Sequence, residues 1–280
     1  MASVTTRVPA TTSNLGPGYD CLGIALGLSN RVTITQGAAG ELPPIVADAG
    51  RAFFAGAKVD PFAFSWAIGG EVPQARGLGS SVTVRLGVMH GLNELAGSPL
   101  TSTHLFELCA QLEGHPDNAA PAAFGGFTAA RPGAETLRCE VAPELQFVLL
   151  IPGFEVSTPE ARRILPDVLP RRDVVMSTAN ACRITAAFML KRYDLLRGCF
   201  ADGLHQPYRE PLVPFLSAAI AAGEKAGAIG GFLSGSGSTI CCLTLERPED
   251  VAAAMLDTAP PGAHAVVTQA DNQGATILAE

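Results

Sequence analysis

The sequence predicts a mixed fold of helices and strands, built as one large domain or as two smaller ones sharing a core. Three observations predict it. The 280 residues are 48% hydrophobic and only 16% charged, which suits a sizeable buried core. Apolar residues alternate in some stretches and recur at spacings of three and four in others, the periods of strand and helix. Glycine and proline punctuate the whole chain, as in a compact enzyme-like body and unlike a disordered one.

In chain order, Ser3–Val8 alternates as a strand, and Pro9–Asp20 is loop chemistry of Pro, Gly, Asn and hydroxyl residues. Cys21–Leu28 is apolar and Asn30–Thr35 alternates as a second strand. Gln36–Asp48, rich in Gly, Pro and Ala, reads as a connecting loop. Phe53–Ile68, with a new start at Pro61, reads as a helix leading into a strand that exits over Gly70–Ala75. Val82, Leu86, Met89 and Leu92 then mark one face of a helix. Gly97-Ser98-Pro99 stops it, and Thr101 or Ser102 caps a second helix running to Leu112. Phe124–Ala130 and Leu145–Ile151 read as strands, and Pro152-Gly153 as a domain junction. Ser157-Thr158-Pro159 opens a helix. Val175, Ala179, Cys182, Ala186 and Met189 form one face of a long helix. Pro211–Ala222 is helical, with Leu212, Phe215, Leu216, Ala219 and Ile220 inward. Phe232–Ile240 is a Gly/Ser turn between two apolar strands, Glu249–Leu256 a last helix, and His264–Thr268 and Ala275–Leu278 closing strands.

Composition narrows the function. A net charge of −7 argues against broad nucleic-acid binding, so a phosphate-handling site here has to be locally positive. The seven cysteines include no C-x-x-C pair and read as reduced, mostly buried thiols of a cytoplasmic protein. Cys241 and Cys242 should point to opposite faces of one strand. No signal peptide is expected before Pro9, and no apolar run approaches the ~20 residues that span a bilayer.

The chemistry centres on Arg76-Gly77-Leu78-Gly79-Ser80-Ser81, where a loop becomes a helix. The first turn of a helix has N–H groups without intrahelical partners and carries partial positive charge. Gly77 and Gly79 lack Cβ and let backbone approach a ligand, while the hydroxyls of Ser80 and Ser81 suit phosphate oxygens or a metal ion. The stretch reads as a polyphosphate cradle. A Gly-rich turn with a Ser N-cap is the alternative. The stretch is neither a Walker A loop nor a G-x-G-x-x-G, and without a lysine a cradle needs a metal ion and therefore a carboxylate. Glu113, an acid at a helix C-terminus against the macrodipole, supplies one; an ordinary terminal Glu is the bland reading. It opens the polar cluster Glu113–Asn118, which also fits a plain turn. Arg162 and Arg163 read first as a solvated helix face.

Three Gly-rich segments in this order, Pro9–Asp20, Ala75–Ser81 and Leu233–Thr239, resemble the motifs of the GHMP kinase superfamily: galactokinase, homoserine kinase, mevalonate kinase and phosphomevalonate kinase. Five ordered segments narrow the resemblance to the homoserine kinase family: Asn14–Asp20, Ala75–Ser81, Glu113–Asn118, Thr158–Pro166 and Leu204–Arg209. The resemblance implies an α+β fold in two parts, an ATP-binding part over 1–152 and a C-terminal part over 153–280, with the active site between them. It implies ATP, Mg²⁺ and phosphoryl transfer to the side-chain hydroxyl of L-homoserine, a step of threonine biosynthesis, in a cytoplasmic homodimer with no nucleic-acid or membrane partner. It implies that Arg76, Gly77, Leu78, Gly79, Ser80 and Ser81 hold ATP, that Ser81 and Glu113 hold the metal, and that Ser81, Glu113 and Asn118 serve catalysis. Asn14, Asp20, His115, Asp117, Thr158, Arg162 and Arg209 are implied as the substrate pocket, with Ser234, Gly235, Ser236 and Gly237 as the third motif. The chain departs from the family pattern at Val82-Thr83, Pro159, Ser236 and Ser238. Another small-molecule kinase of the superfamily, or a ligand-binding homologue without catalysis, are the competing readings.

Overall fold

Ser3–Ser13 (β1) and Leu22–Gln36 (β2) are rich in β-branched residues and pair antiparallel along most of their length. The computed structural model describes residues 2–37 and 40–279. Helix α1, Pro44–Ala57, buries Val46, Ala49, Gly50, Phe53 and Phe54, a helical repeat. It begins inside the stretch expected to be loop, because Pro44 occupies its first turn, where no N–H is needed. It ends at Lys58, in the left-handed region, ahead of Pro61. The expected helix over Phe53–Ile68 therefore stops near its start. Phe64–Gly70 is instead strand β3, which pairs with β2 from Phe64↔Gln36 to Gly70↔Asn30. Of the expected strand and exit over Gly70–Ala75, Gly70 ends β3 and the rest is loop.

Helix α2, Ser80–Leu95, buries the expected face of Val82, Leu86, Met89 and Leu92. Helix α3, Ser102–Glu113, is capped by Thr101, whose hydroxyl accepts the His104 N–H at 3.3 Å. A short helix α4, Ala119–Phe124, follows at once. The sequence reading did not anticipate it. Strands β4 (Phe127–Ala129) and β5 (Leu137–Cys139) extend the first sheet to the order β1-β2-β4-β5, with β3 also on β2. Gln146–Ile151 (β6) starts the second sheet.

Helices α5 (Thr158–Arg163), α6 (Arg171–Met189), α7 (Gln206–Arg209) and α8 (Leu216–Lys225) follow. Strands β7 (Gly230–Leu233) and β8 (Ile240–Thr244) flank the expected Gly/Ser turn. Helix α9 is Pro248–Leu256, and the chain closes with β9 (His264–Thr268) and β10 (Thr276–Leu278). The second sheet runs β7-β8-β6-β9, all antiparallel. Sheet membership crosses the expected junction at 152–153: β6 precedes it yet pairs in the second sheet, and C-terminal β10 pairs with β1.

One core lies where Leu22, Ile24 and Leu26 of β2 meet Phe147, Leu149 and Ile151 of β6, with Phe188 of α6 stacked on Phe127 at 4.4 Å. A second joins the first sheet to α1–α4, and a third joins the other face of the second sheet to α8 and α9. Cys241 enters the first core and Cys242 the third, on opposite faces of β8. Each fully buried Phe in these cores contributes roughly 1.5–3 kcal/mol. The inward face expected for α6 is a correction. Val175, Ala179, Cys182, Ala186 and Met189 are all exposed, and Ser177, Ile184, Ala187 and Phe188 face the core instead. Period locates an apolar stripe but not what covers it.

Candidate active site

The three Gly-rich segments lock together at one edge of the two sheets. Thr12 Oγ1 and Ser234 Oγ hydrogen bond at 2.8 Å, and Ser234 Oγ donates to the Gly77 carbonyl at 2.7 Å. Asn14 Nδ2 donates to the Gly235 carbonyl at 3.0 Å, while its Oδ1 accepts the Asp20 N–H at 3.0 Å. Asn14 and Asp20 both take left-handed backbone (φ 70° and 58°), which Asn and Asp tolerate better than most residues.

Gly77 and Gly79 also have positive φ, 73° and 68°. A Cβ at Gly77 would overlap the Ser234 carbonyl oxygen, and one at Gly79 the Thr11 hydroxyl. The room that these glycines leave is thus filled by neighbouring segments of the chain, where the sequence reading reserved it for ligand. Gly79 precedes α2, and no side chain among the described residues caps that helix. Its first-turn N–H groups are left for an anion.

These segments wall a cavity of about 310 Å³ whose lining includes Ser13, Asn14, Asp20, Gly77, Gly79, Ser80, Ser81 and Arg85. Glu113, His115, Asp117, Asn118, Thr158, Arg162, Arg209, Gly235 and Ser236 line it too. The structure therefore brings together most of the expected site. Arg76 and Leu78 stand apart. Leu78 is core, 1% exposed. Arg76 turns away to donate from Nε to the Pro152 carbonyl and from Nη2 to that of Gly153, both at 3.0 Å. Ser234 and Gly237 act in the turn that braces Gly77.

At the α2 end, Ser81 Oγ donates to Glu113 Oε2 at 3.0 Å, and Arg85 pairs with Glu113 Oε1. Ser81 and Glu113 give two hard oxygen donors beside an uncapped helix start, a set that fits Mg²⁺ carrying phosphate oxygens. Next to them Asn118 is committed on both sides, donating to Ser13 Oγ at 2.8 Å and accepting from Thr11 Oγ1 at 2.7 Å.

At the other end, Arg162 forks onto Asp20 (Nη2–Oδ1 2.6 Å, Nη1–Oδ2 3.0 Å) and reaches the Tyr19 hydroxyl at 3.0 Å. Arg209 is 2% exposed; its Nε donates to the Ala161 carbonyl and its Nη1 to that of Gly235, both at 3.0 Å. The two guanidinium carbons lie 5.5 and 5.3 Å from the Tyr19 ring centre. Asp202 accepts the N–H groups of Leu204, His205 and Gln206 at the start of α7, the helix that carries Arg209. His205 donates from Nε2 to the Gly16 carbonyl at 2.8 Å and faces Arg209 through Nδ1. Burial outweighs the neighbouring Asp202 carboxylate and, with the Arg209 charge adding to it, pushes its pKa down to about 4.

His115 behaves oppositely. Burial works to lower its pKa, but the 2.6 Å hydrogen bond to Asp117 and that carboxylate's charge outweigh it and hold it above the ordinary value. Sequence reasoning missed Tyr19, Arg85 and His205. Arg85 had a local signal, four residues after Ser81 on the same helix face; Tyr19 and His205 acquire their neighbours only through the fold.

The family models give this arrangement its relatives. The GHMP kinases N terminal domain matches residues 45–126, and the GHMP kinases C terminal domain matches residues 186–260. A homoserine kinase of Moorella thermoacetica is 40% identical over 89% of this chain and 90% of its own length. The chain belongs to the GHMP kinase family. Another homoserine kinase, from Deinococcus radiodurans, is 38% identical to this GHMP kinase, with 87% and 85% of the two chains covered. The crystal structure of the Cytophaga hutchinsonii homoserine kinase shares the fold at a TM-score of 0.89 and 24% identity, over 99% and 98% of the chains. The fold extends to the mevalonate kinase of Methanococcus jannaschii, at a TM-score of 0.72 and 12% identity over 96% and 98%.

Proposed function

We propose that this GHMP kinase transfers the γ-phosphoryl group of ATP to the side-chain hydroxyl of L-homoserine, giving O-phospho-L-homoserine for threonine biosynthesis. One observation carries the reading: Arg162, Arg209, Asp20 and Asp117 meet in the cavity that also holds the start of α2, Ser81 and Glu113. Homoserine is a zwitterion. Its α-carboxylate suits the two guanidinium groups, and its α-ammonium suits the two carboxylates. A sugar offers neither charge and mevalonate only one. The relatives named homoserine kinase agree with this choice.

The chain's own groups position the reactants. Gly79, Ser80 and Ser81 present the α2 N–H groups to the phosphates, and Ser81 and Glu113 are the residues that would hold Mg²⁺. The ion, when bound, offsets phosphate charge and stabilises the charge of the transferring group. Asn118, Thr11 and Ser13 fix the wall between the two ends. His115 is held against Asp117 by their 2.6 Å hydrogen bond on the substrate side of the cavity. Catalysis is then mainly positioning and charge stabilisation.

A coupled assay of ADP release tests the reading across L-homoserine, L-serine, L-threonine, mevalonate and galactose. Homoserine should be turned over far faster than the rest; comparable turnover of galactose or mevalonate would overturn the assignment.

We assign the protein to the cytoplasm, a reading that its free thiols support. We assign it a homodimer through the outward stripe of α6. Val175 to Met189 follows a spacing of four, three, four and three, the seam of a helix pair, and Val175 is 61% exposed. Sedimentation should show a dimer that Val175→Lys with Ala186→Glu converts to monomer.

A further inference from the structure

We propose that Arg85 is a positioning residue that shares Glu113 with the divalent ion: it neutralises the carboxylate before nucleotide arrives, and the ion has to displace it. The inference rests on reading Glu113 as a ligand of the ion. Arg85 follows Ser81 by one turn of α2, so both side chains leave the same face of the helix. Ser81 Oγ takes one oxygen of Glu113, and Arg85 Nη1 takes the other. The pair is largely out of solvent, with side chains 17% and 10% exposed, yet both residues line the cavity. The fit is imperfect on the arginine side, since Arg85 Nε is buried and has no hydrogen-bond partner among the described residues. A buried donor left unpaired carries a desolvation cost. The guanidinium is thus held by Glu113 and by little else, which makes it displaceable.

Charge explains why the pair belongs here. The segment 76–81 contains no lysine, and the whole chain carries −7. A bare Glu113 beside the cradle would repel the phosphates of any nucleotide that arrives without metal. Arg85 removes that repulsion. A divalent ion brings two positive charges to the same oxygens, and Arg85 Nη1 occupies Oε1, one of the positions such an ion would use. Ion and arginine therefore compete.

Calorimetry with a non-hydrolysable ATP analogue tests this, run once with EDTA and once as the Mn²⁺ complex. The ratio of the two dissociation constants measures how much the ion adds. Arg85→Met keeps the apolar stem and removes the charge. It should weaken metal-free binding, leave the Mn²⁺ complex bound at least as well as in the wild type, and widen the ratio by about tenfold, the worth of one charge-assisted hydrogen bond. The Mg²⁺ concentration for half-maximal turnover should fall. Arg85→Lys keeps the charge but replaces the planar guanidinium and should lie between; it decides the matter if the methionine variant melts early. An unchanged or narrower ratio in a folded Arg85 variant overturns the proposal. Glu113→Gln separates this failure from failure of the underlying reading. If it narrows the ratio while Arg85→Met leaves it alone, only the role of Arg85 falls. If Glu113→Gln leaves the ratio at the wild-type value, Glu113 does not hold the ion and both readings fall.

Discussion

Arg162 and Arg209 carry the same charge into one cavity on different scaffolds, so removing each should have different consequences. The Arg209 guanidinium is buried and satisfies the carbonyls of Ala161 and Gly235, tying α5 to the third Gly-rich segment. Arg209→Ala strands the buried Ala161 carbonyl and leaves that of Gly235 to Asn14 alone, so stability should fall by about 1–3 kcal/mol. The Arg162 side chain is 36% exposed, and its fork is spent on a half-exposed Asp20. Losing such a pair costs at most about 1 kcal/mol of stability. Toward homoserine the two variants should converge. Each removes a cation facing the α-carboxylate, worth about 2–5 kcal/mol when desolvated, or some 30- to several-thousandfold. We expect kcat/KM to drop at least about a hundredfold in both. Arg162→Lys should not behave as conservative, because the fork is lost. Urea melts, homoserine kinetics and substrate-free ATP calorimetry separate the effects. Arg162→Ala should keep its melt and its ATP affinity, while Arg209→Ala melts early. Homoserine amide should be a poor substrate of the wild type and lose little further in the variants. Should wild type and variants prefer homoserine over the amide equally, the arginines do not read the carboxylate, and the reasoning fails.

Three further outcomes are expected. Glu113→Gln should lower turnover by orders of magnitude with folding intact, since the amide keeps the shape but not the charge that would hold Mg²⁺; near-normal activity at low Mg²⁺ would exclude it as a ligand. Gly79→Val should cost folding before it costs ATP binding, because a left-handed residue with Cβ against Thr11 carries about 2–4 kcal/mol of strain and overlap; a melt unchanged from the wild type would refute this. Acid should unfold the protein early. Burial lowers the pKa values of His90 and His205 to about 4, so between pH 6.5 and 4 the unfolded chain takes up protons that the native one refuses. Each histidine withdraws up to about 3 kcal/mol over that window. His115, raised by Asp117, acts in the other direction: its contribution is full below its unfolded pKa and fades as pH climbs through the raised value. His90→Leu should flatten the fall in urea midpoint from pH 6.5 to 4, and an equally steep fall in that variant would show that His90 is not its source.

Sequence alone was sufficient where the physics is local. The α2 face of Val82, Leu86, Met89 and Leu92, the Thr101 cap and the Gly/Ser turn between β7 and β8 all follow from spacing and side-chain type within a few residues. Glu113 was legible as an acid set against a helix dipole. The motif resemblance carried the pocket residues, and the cavity contains nearly all of them. Tertiary structure decided whatever depends on a partner distant in the chain. Arg209 is buried only because Ala161 and Gly235, distant in the chain, supply its acceptors. Gly77 and Gly79 read as room for a ligand until Ser234 and Thr11 fill that room. The stripe on α6 has a helical period either way, and only packing shows that it points outward. Local propensity is written in neighbouring residues, whereas burial and charge pairing belong to pairs of segments. Which segments meet is settled by the global balance of apolar burial, and no window of sequence contains it.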